Sequence, residues 1–310
     1  MSLSRPLDQQ ALSPPALAPE AGVSWRERLR TLSVLFKLRI VALLLLTAVG
    51  GAFLGAQGWP GLGTLTLLLI TGGLAAAGSS ATNQYLEQET DQRMLRTRHR
   101  PLVAGAIAHP EWVPYAAAAM VLLPVVVVAP WKPALAFFLL LGAFIYVVIY
   151  TLWLKPRTLW NIVIGGAAGS AAVLSGSAAV GRWDEPGALL LALLIFLWTP
   201  THFWSLALVY KDDYARGGVP MLPTRTTPRV ATAWIAVHTL ATAAAALALA
   251  AHPALGWLYA VPVALATLDL VARNVRLLRR PERKEAFDLF KASNVYLALV
   301  IFMILLDTLF

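Results

Sequence analysis

The chain contains no cysteine. That absence excludes disulfides, zinc–thiolate sites and any thiol nucleophile. Charge is also scarce. Only 13% of the 310 residues are Asp, Glu, Lys or Arg, and 16 acids face 25 bases. With so few carboxylates, any two that cluster stand out. What is abundant is apolar: 58% of the chain, with a mean hydropathy of +0.67. Such a composition excludes an ordinary soluble domain and points to a polytopic membrane protein.

The net charge of +9 raises nucleic acid as a partner. Its distribution argues for basic membrane loops instead. Nine apolar runs occur, near residues 40–57, 64–83, 112–129, 134–154, 161–180, 187–210, 230–251, 253–271 and 292–310. With the N-terminus in the cytoplasm, every Lys and Arg except Lys132 and Arg182 falls on that side. The positive-inside rule then supports both the span count and the orientation. The expected fold is an all-α, polytopic bundle of nine transmembrane helices. Pro6, Pro14, Pro15 and Pro19 break the start of the chain, which does not read as a cleavable signal. Residues 1–35 are expected to form a disordered or amphipathic cytoplasmic tail, with a basic surface segment from Ser24 to Lys37. Residues 36–310 then make one transmembrane domain.

The chemistry concentrates at the cytoplasmic mouth of the bundle. The stretch from Asn83 to Leu102 reads NQYLEQETDQRMLRTRHRPL. Asn83, Glu87 and Asp91 are four residues apart, which on a helix stacks them on one face, about 6 Å per step. An amide and two carboxylates so arranged form a hard oxygen site suited to Mg²⁺ carrying a phosphorylated substrate. Arg93, Arg96, Arg98 and Arg100 follow, and guanidinium forks bind phosphate bidentately. A second acidic cluster, Asp212 and Asp213, lies after the sixth run. Adjacent carboxylates cannot both face one point on a regular helix. One is expected to bind metal, the other to cap or to pair with Lys211 or Arg216. The two clusters can then face each other across the bundle and hold metal ions that bridge one diphosphate.

A third stretch, Tyr150 to Ser170, reads YTLWLKPRTLWNIVIGGAAGS. Its Lys155 is either a diphosphate ligand or a snorkelling membrane anchor. Gly165, Gly166 and Gly169 are expected to serve close helix packing. Trp198, Phe203, Trp204, Tyr146 and Tyr150 are candidate linings of an apolar cavity. His202, inside a span, is either a substrate contact or an imidazole hydrogen-bonded to a neighbouring helix. His99, His109, His238 and His252 read as structural, and Arg225 and Arg229 as membrane anchors.

The N-x-x-x-E-x-x-x-D run of Asn83, Glu87 and Asp91, with the R-T-x-x-R-P from Arg96 to Pro101, resembles the first acidic motif of the UbiA-type intramembrane prenyltransferases. FWSLALVYKDDYARGGVPMLP, YTLWLKPRTLWNIVIGGAAGS and the terminal FKASNVYLALVIF resemble the haem-farnesylating branch of that family. The resemblance spans about residues 36 to 305. It implies transfer of farnesyl from farnesyl diphosphate to a vinyl group of haem B, with addition of water to give haem O. It also implies a cell-membrane location, Mg²⁺ as cofactor and a haem A synthase as a possible downstream partner. By position, Asn83, Glu87, Asp91, Asp212 and Asp213 would be the metal-holding catalytic residues. Arg93, Arg96, Arg100, Lys155, Lys211, His202, Tyr150 and Trp204 would contact substrates. Two departures stand out. Glu87 replaces the commoner Asp, and the second motif lacks a clean D-x-x-x-D, since Arg216 and Gly217 stand four residues after Asp212 and Asp213. A prenyltransferase acting on a quinone precursor or chlorophyll, and a cation-coupled transporter, are the alternatives.

Overall fold

The computed structural model describes residues 24–310, so the tail expected over residues 1–23 lies outside the described residues. Among the described residues every regular element is helical. Nine helices are long and apolar enough to cross a membrane. In order, the spans are Leu38–Ala56, Leu62–Leu86, Pro110–Val128, Pro133–Leu154, Asn161–Ala179, Pro186–Val209, Pro228–Leu249, Trp257–Arg279 and Arg283–Asp307. They are called the first to ninth spans below.

The last two helices run well beyond their apolar stretches. Most of the expected basic loop over residues 272–291 is helix, and only Arg280 to Glu282 turn the chain. Charges continue these helices into water because they pair along the helix surface. Arg273 Nε meets Asp269 at 2.7 Å, and Asp288 meets Lys291 at 2.9 Å and Lys284 at 3.5 Å. Such spacings of three and four residues support an exposed helix.

Polar side chains are sequestered and large apolar ones line the outside. Leu122, Leu123, Val126, Leu265, Leu268, Val295 and Phe302 are all exposed. That inversion is what a hydrocarbon solvent selects. One buried cluster joins the first five spans through Ala48, Leu68, Val128, Leu135, Phe138 and Ala178. A larger one runs through the fifth to ninth spans, with Val173, Leu191, Leu194, Ile235, Tyr259, Leu270 and Ile301.

The first and fifth spans cross with their backbones touching. A Cβ on Gly176 would stand 1.7 Å from the Ala48 carbonyl oxygen, and one on Gly51 would stand 2.1 Å from that of Val173. Neither backbone can retreat without opening the bundle. Gly176→Leu is therefore expected to cost at least ~3 kcal/mol. Gly63→Leu, at a position with nothing within 4 Å, serves as control. Equal melting temperatures for the two variants in detergent would contradict this crossing.

A surface helix, Trp25–Leu35, precedes the first span. Ser24 and Glu27 form a reciprocal capping box, at 2.9 and 3.2 Å. Gln84 Nε2 donates to the carbonyls of Val34 and Leu35 at 2.6 and 2.9 Å, pinning the helix end to the second span. Turning from that anchored end into the first span forces Lys37 into a left-handed conformation, φ 50°. The turn delivers the Lys37 side chain to the acidic motif.

Candidate active site

The second span ends at Leu86. Glu87, with φ −98° and ψ 9°, joins it to a short helix, Gln88–Arg93. The four-residue hydrogen-bond rhythm survives the joint. Glu87 N donates to the Asn83 carbonyl at 3.1 Å, and Asp91 N to the Glu87 carbonyl at 2.8 Å. Asn83, Glu87 and Asp91 consequently keep a common face, and all three are buried. Glu89, in the same segment, points away and is exposed.

Each member of that face holds a different cation or donor. Lys37 Nζ donates to Asn83 Oδ1 at 2.6 Å, and Asn83 Nδ2 donates to Thr151 Oγ1 at 3.0 Å. Lys155 Nζ donates to Glu87 Oε1. Arg100 donates to Asp91 Oδ2 at 2.5 Å and lies 3.9 Å from Glu87 Oε2. Burial pushes the Glu87 carboxyl up, but the charges of Lys155 and Lys37 outweigh it and hold the group below its usual range. For Lys37, burial pushes the amine down to about 7; Arg100 pushes the same way and Glu87 opposes.

The fourth span contributes through an unusual turn. Ile145–Leu154 is wound as a π-helix. Thr151 Oγ1 donates to the Tyr146 carbonyl at 2.8 Å, and Lys155 N donates to the Tyr150 carbonyl at 2.8 Å. This winding brings Tyr146, Tyr150, Thr151 and Lys155 to one site, as π-segments often do at functional positions. Tyr146 and Tyr150 stack at 5.8 Å, and Lys155 Nζ lies 5.6 Å from the Tyr150 ring centre. Tyr146 OH accepts from Lys37 at 3.1 Å. Tyr150 packs closely on the fifth span because Gly165 has no side chain there; a Cβ would come within 2.7 Å of the ring.

The two acidic motifs meet, and Asp213 joins them. Its Oδ1 accepts from Leu95 N at 2.7 Å and its Oδ2 from Arg96 N at 3.1 Å. Arg216 donates to Oδ1 at 2.8 Å. Burial raises the Asp213 carboxyl, but these donors and the Arg216 charge bring it below the usual range. Both of its oxygens are therefore engaged. Asp212 is exposed and has no hydrogen bond or ion pair among the described residues. The clamp fixes Arg96 between the rings of Tyr210 and Tyr214, 5.7 and 5.8 Å from the guanidinium carbon. Arg96 Nε is buried without a partner, a donor left over for a ligand. Asn161, fully buried, donates to the Pro220 carbonyl at 3.1 Å and ties the loop after Asp213 to the fifth span.

The structure thus gathers Asn83, Glu87, Asp91, Arg100, Lys155 and Tyr150 in one place, with Arg96 and Asp213 linked to it through the loop. It does not gather every predicted residue. Arg93 is exposed and unpaired among the described residues, and Lys211 makes no ion pair there. Trp204 is only 1% exposed and packs edge-on against His238 at 5.4 Å, inside the sixth–seventh span core rather than on a cavity wall. On the same helix the buried Thr201 meets Thr239 of the seventh span at 3.2 Å. Lys37, Thr151, Tyr210 and Tyr214 belong to the site, although no motif spacing singled them out.

Among the described residues no three His, Asp or Glu side chains converge to hold a metal alone. A pair of carboxylates with an amide suits Mg²⁺ if phosphate oxygens and water complete the shell, which is how this ion is usually held beside a phosphorylated substrate. The donor set therefore fits a metal that arrives with its diphosphate.

Comparison with known proteins decides the family. Residues 44–300 match the UbiA prenyltransferase family. The chain belongs to that family. A protoheme IX farnesyltransferase from Metallosphaera sedula is 40% identical over 275 residues, covering 89% of this chain and 95% of that protein. A digeranylgeranylglyceryl phosphate synthase superposes with a TM-score of 0.76 at 15% identity, covering 91% of this chain and 99% of that one. A UbiA homologue from Archaeoglobus fulgidus, bound to GPP and Mg²⁺, gives a TM-score of 0.59 at 15% identity, over 88% of this chain and 99% of that one. Membership in a membrane prenyltransferase family sets aside the transporter alternative and agrees with the nine apolar spans.

Proposed function

We propose that this enzyme is a protohaem IX farnesyltransferase: it moves farnesyl from farnesyl diphosphate to a vinyl carbon of haem B, and water adds to give haem O. The observation that carries this reading is the 40% identity to a protoheme IX farnesyltransferase over nearly the whole of both chains. The site supports it with the groups that diphosphate departure requires. Its basic face, holding all of the site, looks toward the cytoplasm from the cell membrane, and the product passes to a haem A synthase.

In the reaction the C1–O bond of the allylic diphosphate breaks and its electron pair leaves with the diphosphate. Mg²⁺, held by Glu87 and Asp91 with Asn83 on one side and by Asp212 on the other, would neutralise charge on the leaving group. Arg96, Arg100 and Lys155 supply further positive charge where charge develops, which is the efficient form of electrostatic catalysis, and Lys37 adds a donor whose charge a bound diphosphate would favour. Asp213 works one step back, holding the Leu95–Arg96 backbone in place. The vinyl π electrons form the new carbon–carbon bond. Water takes the resulting haem-side cation and gives up a proton. Tyr146 and Tyr150 present aromatic faces that favour a nearby cation.

Lys37→Met is expected to weaken prenyl diphosphate binding by ~10- to 100-fold, the loss of one charge-assisted hydrogen bond. An unchanged KM for the diphosphate would remove Lys37 from the site. The reading as a whole is tested with purified protein, haem B, farnesyl diphosphate and Mg²⁺, followed by chromatography and mass detection. A haem heavier by a farnesyl group and a hydroxyl is the expected product. Diphosphate release with a quinone precursor, and none with haem, would move the acceptor elsewhere in the family.

A further inference from the structure

His202 is left over from the diphosphate site. It lies in the sixth span, eight residues before Tyr210, about 12 Å along the helix axis. Its surroundings determine its protonation. Ser293 has one hydroxyl proton, and Ser293 Oγ donates it to the Phe290 carbonyl at 2.8 Å. The 2.9 Å contact between His202 Nδ1 and Ser293 Oγ is then one in which the hydroxyl accepts. On this hydrogen-bond pattern we assign the His202 proton to Nδ1, which leaves the lone pair on Nε2.

That lone pair has no hydrogen-bond partner among the described residues, and Nε2 is not sealed inside the protein. A purely structural imidazole between two spans would have both nitrogens satisfied or enclosed. Around it the rings form a row. Trp198 stacks on His202 at 4.4 Å and 17°, and Phe290 follows at 4.6 Å and 32°. Phe287 continues the row at 6.0 Å and 15°, and is exposed. Ser293 holds both ends of the first pair, since its carbonyl also accepts from Trp198 Nε1 at 2.9 Å. An oriented imidazole whose other nitrogen donates to a fixed oxygen is the arrangement of a metal-ligating histidine. An axial imidazole stands perpendicular to a macrocycle, so its stacked neighbours would meet the haem face with their edges, a favoured aromatic geometry.

We infer that His202 Nε2 is an axial ligand to the iron of the haem acceptor, and that the seam between the sixth and ninth spans is where haem docks. The inference rests on the haem reading above. Ligation fixes the macrocycle at its centre and leaves its edges free to turn toward the diphosphate end of the sixth span. Ser293 acts as a positioning residue for the imidazole.

The test is spectroscopic. The intact protein in detergent is titrated with haem B, and the Soret band and the ferric EPR signal are recorded. Wild type is expected to give a histidine-ligated spectrum. His202→Gly is expected to lose that signature and weaken haem binding at least 10-fold, with added imidazole restoring the spectrum. Ser293→Ala is expected to keep ligation and shift the EPR parameters. Binding of farnesyl diphosphate with Mg²⁺, unchanged in all three, shows that the variants are folded. A wild-type spectrum in His202→Gly, in protein that still farnesylates haem, overturns the inference and leaves the reading intact. Wild type that neither binds nor modifies haem overturns both.

Discussion

Asp91→Asn is expected to lower turnover about 10³-fold or more while leaving the melting temperature near that of the wild type. The substitution keeps the shape and leaves an oxygen for Arg100, which lies 2.5 Å from Asp91 Oδ2. What it removes is a negative charge from the buried face of Asn83, Glu87 and Asp91. If that face holds Mg²⁺ against the leaving diphosphate, losing one formal charge weakens both metal and transition state, an effect of the size seen when one stabilising group is taken from a preorganised site. Glu89→Gln is the control. It removes the same charge two residues away from an exposed position on the other side of the helix, and near-normal turnover is expected. Equal loss in both variants would show that net charge, not the common face, matters.

The second acidic pair should divide its roles cleanly. Asp213→Ala strips the acceptor from two consecutive backbone N–H groups and from Arg216. Two part-buried donors left without that acceptor are expected to cost about 1–2 kcal/mol of stability. Turnover should also fall at least ~10²-fold, because Arg96 loses its place between Tyr210 and Tyr214. Asp212→Ala disturbs no contact among the described residues, so its melting temperature is expected to hold while turnover falls by a similar or larger factor. Thermal unfolding and initial rates on the same preparations decide between the two roles. Destabilisation by Asp212→Ala, with a tolerant Asp213→Ala, would reverse the assignment.

Some of this was legible in the sequence because it depends on local spacing. The nine apolar runs follow from bilayer thickness. The shared face of Asn83, Glu87 and Asp91 follows from helical periodicity, and it survives even though the helix is interrupted at Glu87. The rest depends on how distant segments meet. Lys37 lies 46 residues from Asn83, and only the anchoring of the surface helix by Gln84 brings them together. The π-helix in the fourth span has no marker residue, yet it sets which way Tyr146, Tyr150 and Lys155 point. Asp212 and Asp213 are chemically identical in sequence, and only the Leu95–Arg96 loop distinguishes them. Trp204 reads as cavity lining until its helix is seen to turn it toward His238. The charged ends of the eighth and ninth spans were read as loop because hydropathy marks where the bilayer ends rather than where the helix does.

The central claim is that a prenyl diphosphate and a divalent metal bind together on the face of Asn83, Glu87 and Asp91. The most direct measurement is calorimetric binding of a non-ionising farnesyl diphosphate analogue, with Mg²⁺ and with chelator, to the wild type and to Asp91→Asn. Binding that requires Mg²⁺ in the wild type, and is weakened at least 10-fold in Asp91→Asn, is the predicted result. Equal affinity in chelator, or an unaffected Asp91→Asn, would contradict it.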